Sequence, residues 1–311
     1  MHNNSPKVSL GLPVFNGERF IAKCLDSLLS QSFKDFELII CDNASTDATD
    51  EICHNYAKKD SRIIYHRNDK NVGAAANFNL TFKLSRGEYF KWVAHDDICK
   101  SEFLEKCVDI LENKSNVVLV YSKTKLIDQY DQDIGIYELK KKTDSEDPVV
   151  RFSELLIGHM CFEIFGLIRR NTLETTSLIG DYANGDGVLL ARLALIGRFE
   201  EIPDYLFLSR RHAGQSISMV NDFKAYSAWF NPKLNNKIIL PYWKIQLEFL
   251  RSINKESNLS IKQRYKCYKH IYWNTLLKKN NLRSDLNYLI KTIDSRFLFN
   301  ILKKTYSFLK F

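Results

Sequence analysis

Up to Ser122 the chain alternates short unbroken apolar runs with segments whose apolar residues recur at helical spacing. "VSLGLPVF" predicts a strand. "ERFIAKCLDSLLSQS" then places Phe20, Ile21, Cys24, Leu25, Leu28 and Leu29 on one helical face. "FELIICD" predicts a second buried strand and "STDATDEICHNYAKK" a helix opened by capping residues. "RIIYHR" reads as a third strand, "AAANFNLTFKLS" as a helix that stops at Gly87, and "EYFKWVA" as a fourth strand. A helix from Phe103 precedes the strand "NVVLVYS". This alternation predicts an α/β fold, a Rossmann-like, mostly parallel sheet flanked by helices.

Beyond Ser122 the pattern loosens. Residues 123–148 are polar, and "ELKKKTDSEDP" reads as a surface loop. A helix around Phe152 to Ile157, the strand "FGLIRR", the helix "GVLLARLALIGRF" and the strand "YLFLSRR" follow. Val188, Leu189, Leu193 and Ile196 share one side of that last helix. From Asp222 the spacing is helical, and Trp229, Trp243, Tyr265, Tyr268, Trp273, Phe297 and Phe299 are interspersed with lysines. The expected organisation is a body over residues 1–221, with halves 1–126 and 149–221, and a helical, basic C-terminal extension over 222–311.

Composition sharpens that division. Of the 311 residues, 45% are hydrophobic and 26% charged, ordinary for a soluble protein. Charge is unevenly spread: from Lys224 onward there are 18 Lys and Arg against 4 Asp and Glu, so a net +8 chain carries an acidic body of −6 and a tail of +14. An acidic body opposes a polyanion, and no recognition motif accompanies the tail, so nucleic acid is not an expected partner. The seven cysteines include no CxxC pair, and they read as small core residues. "LLIGHMCFEIFGLI", the most apolar stretch, is too short to span a bilayer and contains Glu163. "MHNNSPK" shows no secretory or transit pattern, and the expectation is a cytoplasmic protein.

Candidate chemistry gathers at strand ends. Phe15 and Asn16, Asp42 and Asn43, and Asp96 and Asp97 each follow the C-terminal end of a predicted strand, and in an open α/β sheet those ends share the ligand-binding edge. The carboxylates of "AHDD" could open the next helix, but Ser101 offers an N-cap for that role, and a divalent cation relieves the repulsion between them. Neither GxGxxG nor a Walker A sequence occurs. Pro13 stiffens the first strand's end, where the backbone of Val14 and Phe15 can face a base. Asp42 can accept from the imide of a uracil or the amine of another base; equally, Asp42 or Asn43 can cap the following helix.

"VSLGLPVFNGERFIAKCLDSLLSQSFKDFELIICDNASTDAT", "NVGAAANFN" and "RGEYFKWVAHDD", in that order, resemble the nucleotide-binding half of family 2 glycosyltransferases, which have the GT-A fold. The resemblance is close from Lys7 to Leu126 and looser from Gly180 to Ser218. It implies that Pro13, Val14, Phe15 and Glu18 line the base and ribose pocket, with Asn43 and Asn71 beside them and Asp42 reading the base. A uracil there would favour a UDP-sugar. Asp96 corresponds to the last acidic residue of the family's DxD motif and would ligate Mg²⁺ or Mn²⁺, with Asp97 adjacent. Three positions depart from the pattern: Ala94 replaces the first Asp of DxD, Phe78 stands where many members have Arg, and Gly185 where Glu is common.

In the second half, Asp186 could simply cap its helix. By resemblance it is the general base that takes the proton of an acceptor hydroxyl as that oxygen attacks the anomeric carbon opposite the diphosphate, inverting the configuration. His212 corresponds to a loop histidine that approaches the metal or diphosphate, and Arg210 or Arg211 could meet phosphate. The implied activity is transfer from a nucleotide-sugar to a glycan or lipid-linked acceptor in cell-surface polysaccharide biosynthesis. A nucleotidyltransferase would need a triphosphate-gripping loop that "PVFNGERF" does not supply, and retention of Asp186 beside Asp96 argues against a non-catalytic sugar-nucleotide sensor. The basic aromatic tail suits either a lid over the body or peripheral contact with an anionic membrane.

Overall fold

The computed structural model describes residues 5–215, 219, 222–235 and 237–292; Phe297 and Phe299 lie outside them. Four parallel strands form one side of the sheet: β1 (Val8–Val14), β2 (Phe36–Asp42), β3 (Ile63–Arg67) and β4 (Tyr89–Trp92). Their register aligns Val14 with Asp42 and Asp42 with Arg67, so the C-terminal ends of β1, β2 and β3 are level, while β4 ends opposite Gly11. The sheet continues through β8 (Leu167–Arg169), β6 (Val117–Ile127), β9 (Arg198–Arg210) and the two-residue β5 (Ile98–Cys99), in the order β3-β2-β1-β4-β8-β6-β9-β5. β8 and β5 run antiparallel to their neighbours, while β6 and β9 are parallel.

Every residue of β1 and β2 is buried because helices cover both sheet faces. α1 (Ile21–Leu29), α2 (Thr49–Lys59) and α4 (Phe103–Asn113) contribute to one apolar cluster with Val8, Leu10, Leu12, Leu38 and Ile40. α3 (Ala74–Leu84) covers the other face beside Phe90 and Trp92. Gly11 permits that approach, since a Cβ there would lie 2.4 Å from Thr81 Oγ1. The second cluster runs on through α5 (Pro148–Leu155) and α7 (Gly185–Ile196) to Ile245, Phe249 and Ile253 of α9 (Pro241–Lys255) and Cys267 and Ile271 of α10 (Ile261–Leu277). The C-terminal helices thus share a core with the body.

Three local expectations change. Residues 123–127 extend β6 rather than forming a loop, and they pair with β7 (Asp133–Tyr137); the polar residues Lys123, Thr124 and Lys125 hid the hairpin. Ser101 is not the N-cap of α4, whose N-cap is Glu102 without a side-chain cap bond; Ser101 Oγ bonds Glu102 instead, and β5 separates the Asp96–Asp97 pair from the helix. α7 is buried on nearly every side, because it lies among α5, α9 and the short α6 (Arg170–Glu174). Its polarity pattern reflects that packing rather than an exposed face. The remaining helices are α8 (Phe223–Phe230) and α11 (Lys279–Thr292).

Candidate active site

One cavity of about 1030 Å³ opens over the C-terminal edge of the sheet. Its near wall begins with Pro13, Val14 and Phe15, where β1 ends. The turn beyond is held by bonds to the β2–α2 loop: Asn16 N donates to Ser45 Oγ (2.9 Å), Gly17 N to Thr49 Oγ1 (2.8 Å), and Asn16 Oδ1 accepts from Thr46 N (2.8 Å). Asn43 and Asn71 line the next stretch; Asn43 Nδ2 donates to Asn71 Oδ1 (3.0 Å), and Val72 N to Asn43 Oδ1 (2.9 Å). These bonds fix the approach of α3 to the end of β2.

Two expected base-pocket residues stand elsewhere. Asp42 is fully buried behind the wall, accepting from Ser45 N (2.9 Å), Tyr65 Oη (2.9 Å) and Arg67 Nη1 (2.6 Å), and it does not line the cavity. Adjacent strand residues point to opposite sides, so the cavity receives Asn43 in its place. Glu18 is exposed and accepts from Ala48 N (2.9 Å) at the start of α2.

At the end of β4 the doubled carboxylates diverge. Asp96 Oδ2 lies 2.9 Å from His212 Nε2 and 3.1 Å from Gln215 Nε2, and all three residues line the cavity. Burial opposes its ionisation, but the His212 bond, the His95 charge and the Gln215 bond together hold it at about 2. Asp97 is pushed well above the usual carboxylate range, first by burial and then by the Asp96 charge, and its Oδ1 accepts from Arg210 N (2.9 Å). Burial and mutual repulsion thus drive the acidities of the two carboxyl groups apart. His95, which the sequence reading passed over, also lines the cavity, and burial lowers its pKa. It packs closely on Gly17, where a Cβ would meet its ring at 2.7 Å.

The two arginines separate as well. Arg210 is fully buried and faces away from the cavity: Nε donates to Asp96 O (2.9 Å) and Nη1 to Asp128 O (3.0 Å), with an ion pair to Asp131. This corrects its expected place as a phosphate contact, because its neighbour in an extended strand points the other way. Arg211 does line the cavity, stacked over Phe162 at 4.9 Å, and its Nη2 is buried without a hydrogen-bond partner. A buried unpartnered guanidinium nitrogen at a cavity wall suits an anionic ligand.

The same cavity is lined by Asp186, in the first turn of α7. Burial raises its pKa, opposed by the Gly187 N–H and by the neighbouring His159. Gly185 before it has a steric cause: a Cβ there would lie 2.3 Å from Gly180 O, so the family's Glu has no room. His159, also missed in the sequence, lines the same end. Trp229 and Phe230 of α8, Tyr242, Ile245 and Phe249 of α9, and Lys278 close the far side. Gly73, at φ +89°, lets Phe230 to Pro232 rest on the start of α3. Asp96 and Asp186 thus converge on one cavity, whereas Asp42 does not.

Among the described residues no cluster of three or more His, Cys, Asp or Glu side chains is arranged to hold a metal ion. The donors that do converge, Asp96 and His212, fit a cation completed by ligand oxygens better than a protein cage. Ala94 stands where a third donor would be, and Asp97, though it also lines the cavity, has its Oδ1 engaged by Arg210 N.

The glycosyl transferase family 2 model matches residues 9–175, more than half of the chain, and the chain belongs to that family. An uncharacterised glycosyltransferase of Rickettsia typhi is 35% identical over 126 residues, covering 40% of this chain and 38% of its own. Another, from Methanocaldococcus jannaschii, is 30% identical over 158 residues, covering 50% and 54%. The matched segments thus span about half or less of these relatives. Among solved structures, S. aureus TarS 1–349 in complex with UDP-GlcNAc aligns with a TM-score of 0.66 at 17% identity over 93% of this chain and 82% of that one. The Pyrobaculum calidifontis mannosyltransferase PcManGT, in complex with GDP-Man and Mn²⁺, aligns at 0.58 and 15% identity over 99% and 82%. The fold is GT-A.

Proposed function

We propose that the protein is an inverting glycosyltransferase that moves a sugar from a nucleotide-sugar to a hydroxyl of a glycan or lipid-linked acceptor in cell-surface polysaccharide biosynthesis. The observation that carries this reading is the single cavity shared by Asp96, His212, Arg211 and Asp186. Its volume, at the upper end for a ligand site, suits a donor and an acceptor together. Pro13, Val14, Phe15, Asn43 and Asn71 receive the nucleoside; Asp42 braces Arg67 behind them. Arg211 takes the diphosphate. Asp96 and His212 would hold Mg²⁺ or Mn²⁺, which when bound supplies charge neutralisation to the departing diphosphate.

Asp186 orients the acceptor hydroxyl and takes its proton while the oxygen bonds to the anomeric carbon and the diphosphate leaves with the bonding electrons. A half-buried carboxylate of raised pKa is a stronger base than a solvated one. Substrate-covered helices α8 and α9 exclude water from that step. The residue division at 221/222 is then functional, with α8 and α9 closing the cavity built by the first part.

The outer face of α10 supports peripheral membrane contact. Ile261, Tyr265, Tyr268, Tyr272 and Leu276 form an exposed stripe opposite buried Cys267 and Ile271, flanked by Lys262, Lys266 and Lys269. Among the described residues no helix is long and apolar enough to cross a membrane.

A thermal-shift screen of UDP-, GDP- and dTDP-sugars with and without Mn²⁺ tests the reading. One donor class should raise the melting temperature; no response to any of them would reject the assignment.

A further inference from the structure

The segment joining α5 to the 3-10 turn Phe162–Phe165 folds back on itself, with Cys161 in the left-handed region at φ 57°. His159 Nδ1 thereby meets Glu163 Oε2 at 3.2 Å, and their side chains are only 4% and 1% exposed. Cys161 N also points at Nδ1, from 3.3 Å. The two contacts demand opposite tautomers. If Nδ1 accepted from Cys161, the buried Glu163 carboxylate would face a lone pair, and among the described residues no other side chain bonds it. Leaving a buried carboxylate without a donor costs more than losing one backbone contact. Nδ1–H therefore donates to Glu163, and Nε2 keeps its lone pair. A carboxylate that orients an imidazole in this way is the arrangement of a proton-accepting dyad.

The surroundings leave few competing proton acceptors. Facing this end are Asp186 from α7, Tyr226 from α8, Tyr137 from β7, and Cys161. Burial raises the Cys161 thiol and both phenols, so these three stay protonated near neutrality. His159 and Asp186 line the same cavity. We propose that the Glu163–His159 pair is a proton relay for Asp186: His159 Nε2 receives the proton that Asp186 takes from the acceptor hydroxyl. The hydroxyl O–H breaks as the glycosidic bond forms, the electron pair of the anomeric C–O bond leaves on the diphosphate, and the proton ends on an imidazolium paired with Glu163. His159 is thus a positioning and relay residue, and the proposal rests on the transferase reading above.

Its test begins without turnover. Nitrogen-15 NMR of the full chain labelled at its seven histidines, with His159 assigned by His159→Gln, reads the tautomer directly. The relay requires the Nδ1–H form, converted towards Nε2–H in Glu163→Gln. An Nε2–H form in the unaltered protein overturns the relay whatever the donor screen returns. With a donor in hand, His159→Gln should lower kcat about 100-fold with unchanged donor affinity, and Glu163→Gln about tenfold. An unaltered kcat in a folded His159→Gln protein overturns the relay alone, since donor binding and Asp186 dependence would still stand.

Discussion

His212 Nε2 lies 2.9 Å from Asp96 Oδ2, which joins residues 116 positions apart at the point where β4 and β9 both reach the cavity. If this pair is the protein's share of a cation site, Asp96→Ala should lose the Mn²⁺-dependent part of donor-induced thermal stabilisation. His212→Ala should weaken it. Both should slow transfer by about 100-fold or more, in line with removal of one electrostatic contact to the developing charge. Equal donor stabilisation with and without Mn²⁺ in the unaltered protein would contradict the cation site.

Asp186→Asn should abolish transfer and stabilise the fold. Its folded pKa is raised above the ordinary value by burial, so ionising the half-buried carboxylate destabilises the folded state. That penalty is absent at low pH and grows as pH rises through the raised pKa. The variant should therefore melt about 2 °C or more above the parent at pH 7, with the gap closing towards pH 4. Calorimetry at the two pH values checks the sign. The acid limb of the pH–rate profile should likewise fall above the ordinary carboxylate range.

Arg210 and Arg211 should respond oppositely to the same change. Arg211→Met removes a cavity-facing cation and should weaken donor binding about tenfold with little effect on melting. Arg210→Met removes a fully buried guanidinium from the Asp96 and Asp128 carbonyls and from its ion pair with part-exposed Asp131, and should cost about 2 kcal/mol of stability. Isothermal titration and denaturant unfolding separate the two.

Gly185→Ala should destabilise by about 2 kcal/mol, because even a methyl group meets the Gly180 carbonyl. Unfolding in urea gives the value. Tolerance of this change would show that the start of α7 can move, which would loosen the placement of Asp186.

Replacing Tyr265 and Tyr272 with Ser should reduce co-sedimentation with phosphatidylglycerol vesicles and leave melting unchanged, since both rings are solvent-exposed. Equal sedimentation of parent and variant would remove membrane contact by α10.

Much of the cavity wall at the sheet edge was legible because the strand ends are read directly from apolar runs: Pro13 to Phe15, Asn43 and Asp96 follow from where "VSLGLPV", "FELIICD" and "EYFKWVA" stop. Less legible was which neighbour faces in. Asp42 and Asn43, or Arg210 and Arg211, differ by one position, and that half-period is decided by the pleat. The Glu163–His159 pair had a signal in its four-residue spacing, but it lay inside a stretch whose apolarity dominated the reading. The part of α8 and α9 in lining the cavity was legible only as helices with aromatics.

Local periodicity therefore determined the alternation of strand and helix and the edge where ligands bind, since both depend on contacts within a few residues. Tertiary structure alone decided that Asp96 meets His212, that Asp186 shares one cavity with them, and that α8 and α9 cover it. Those relationships join segments far apart in sequence, and they exist only once two apolar clusters have packed against opposite faces of the sheet.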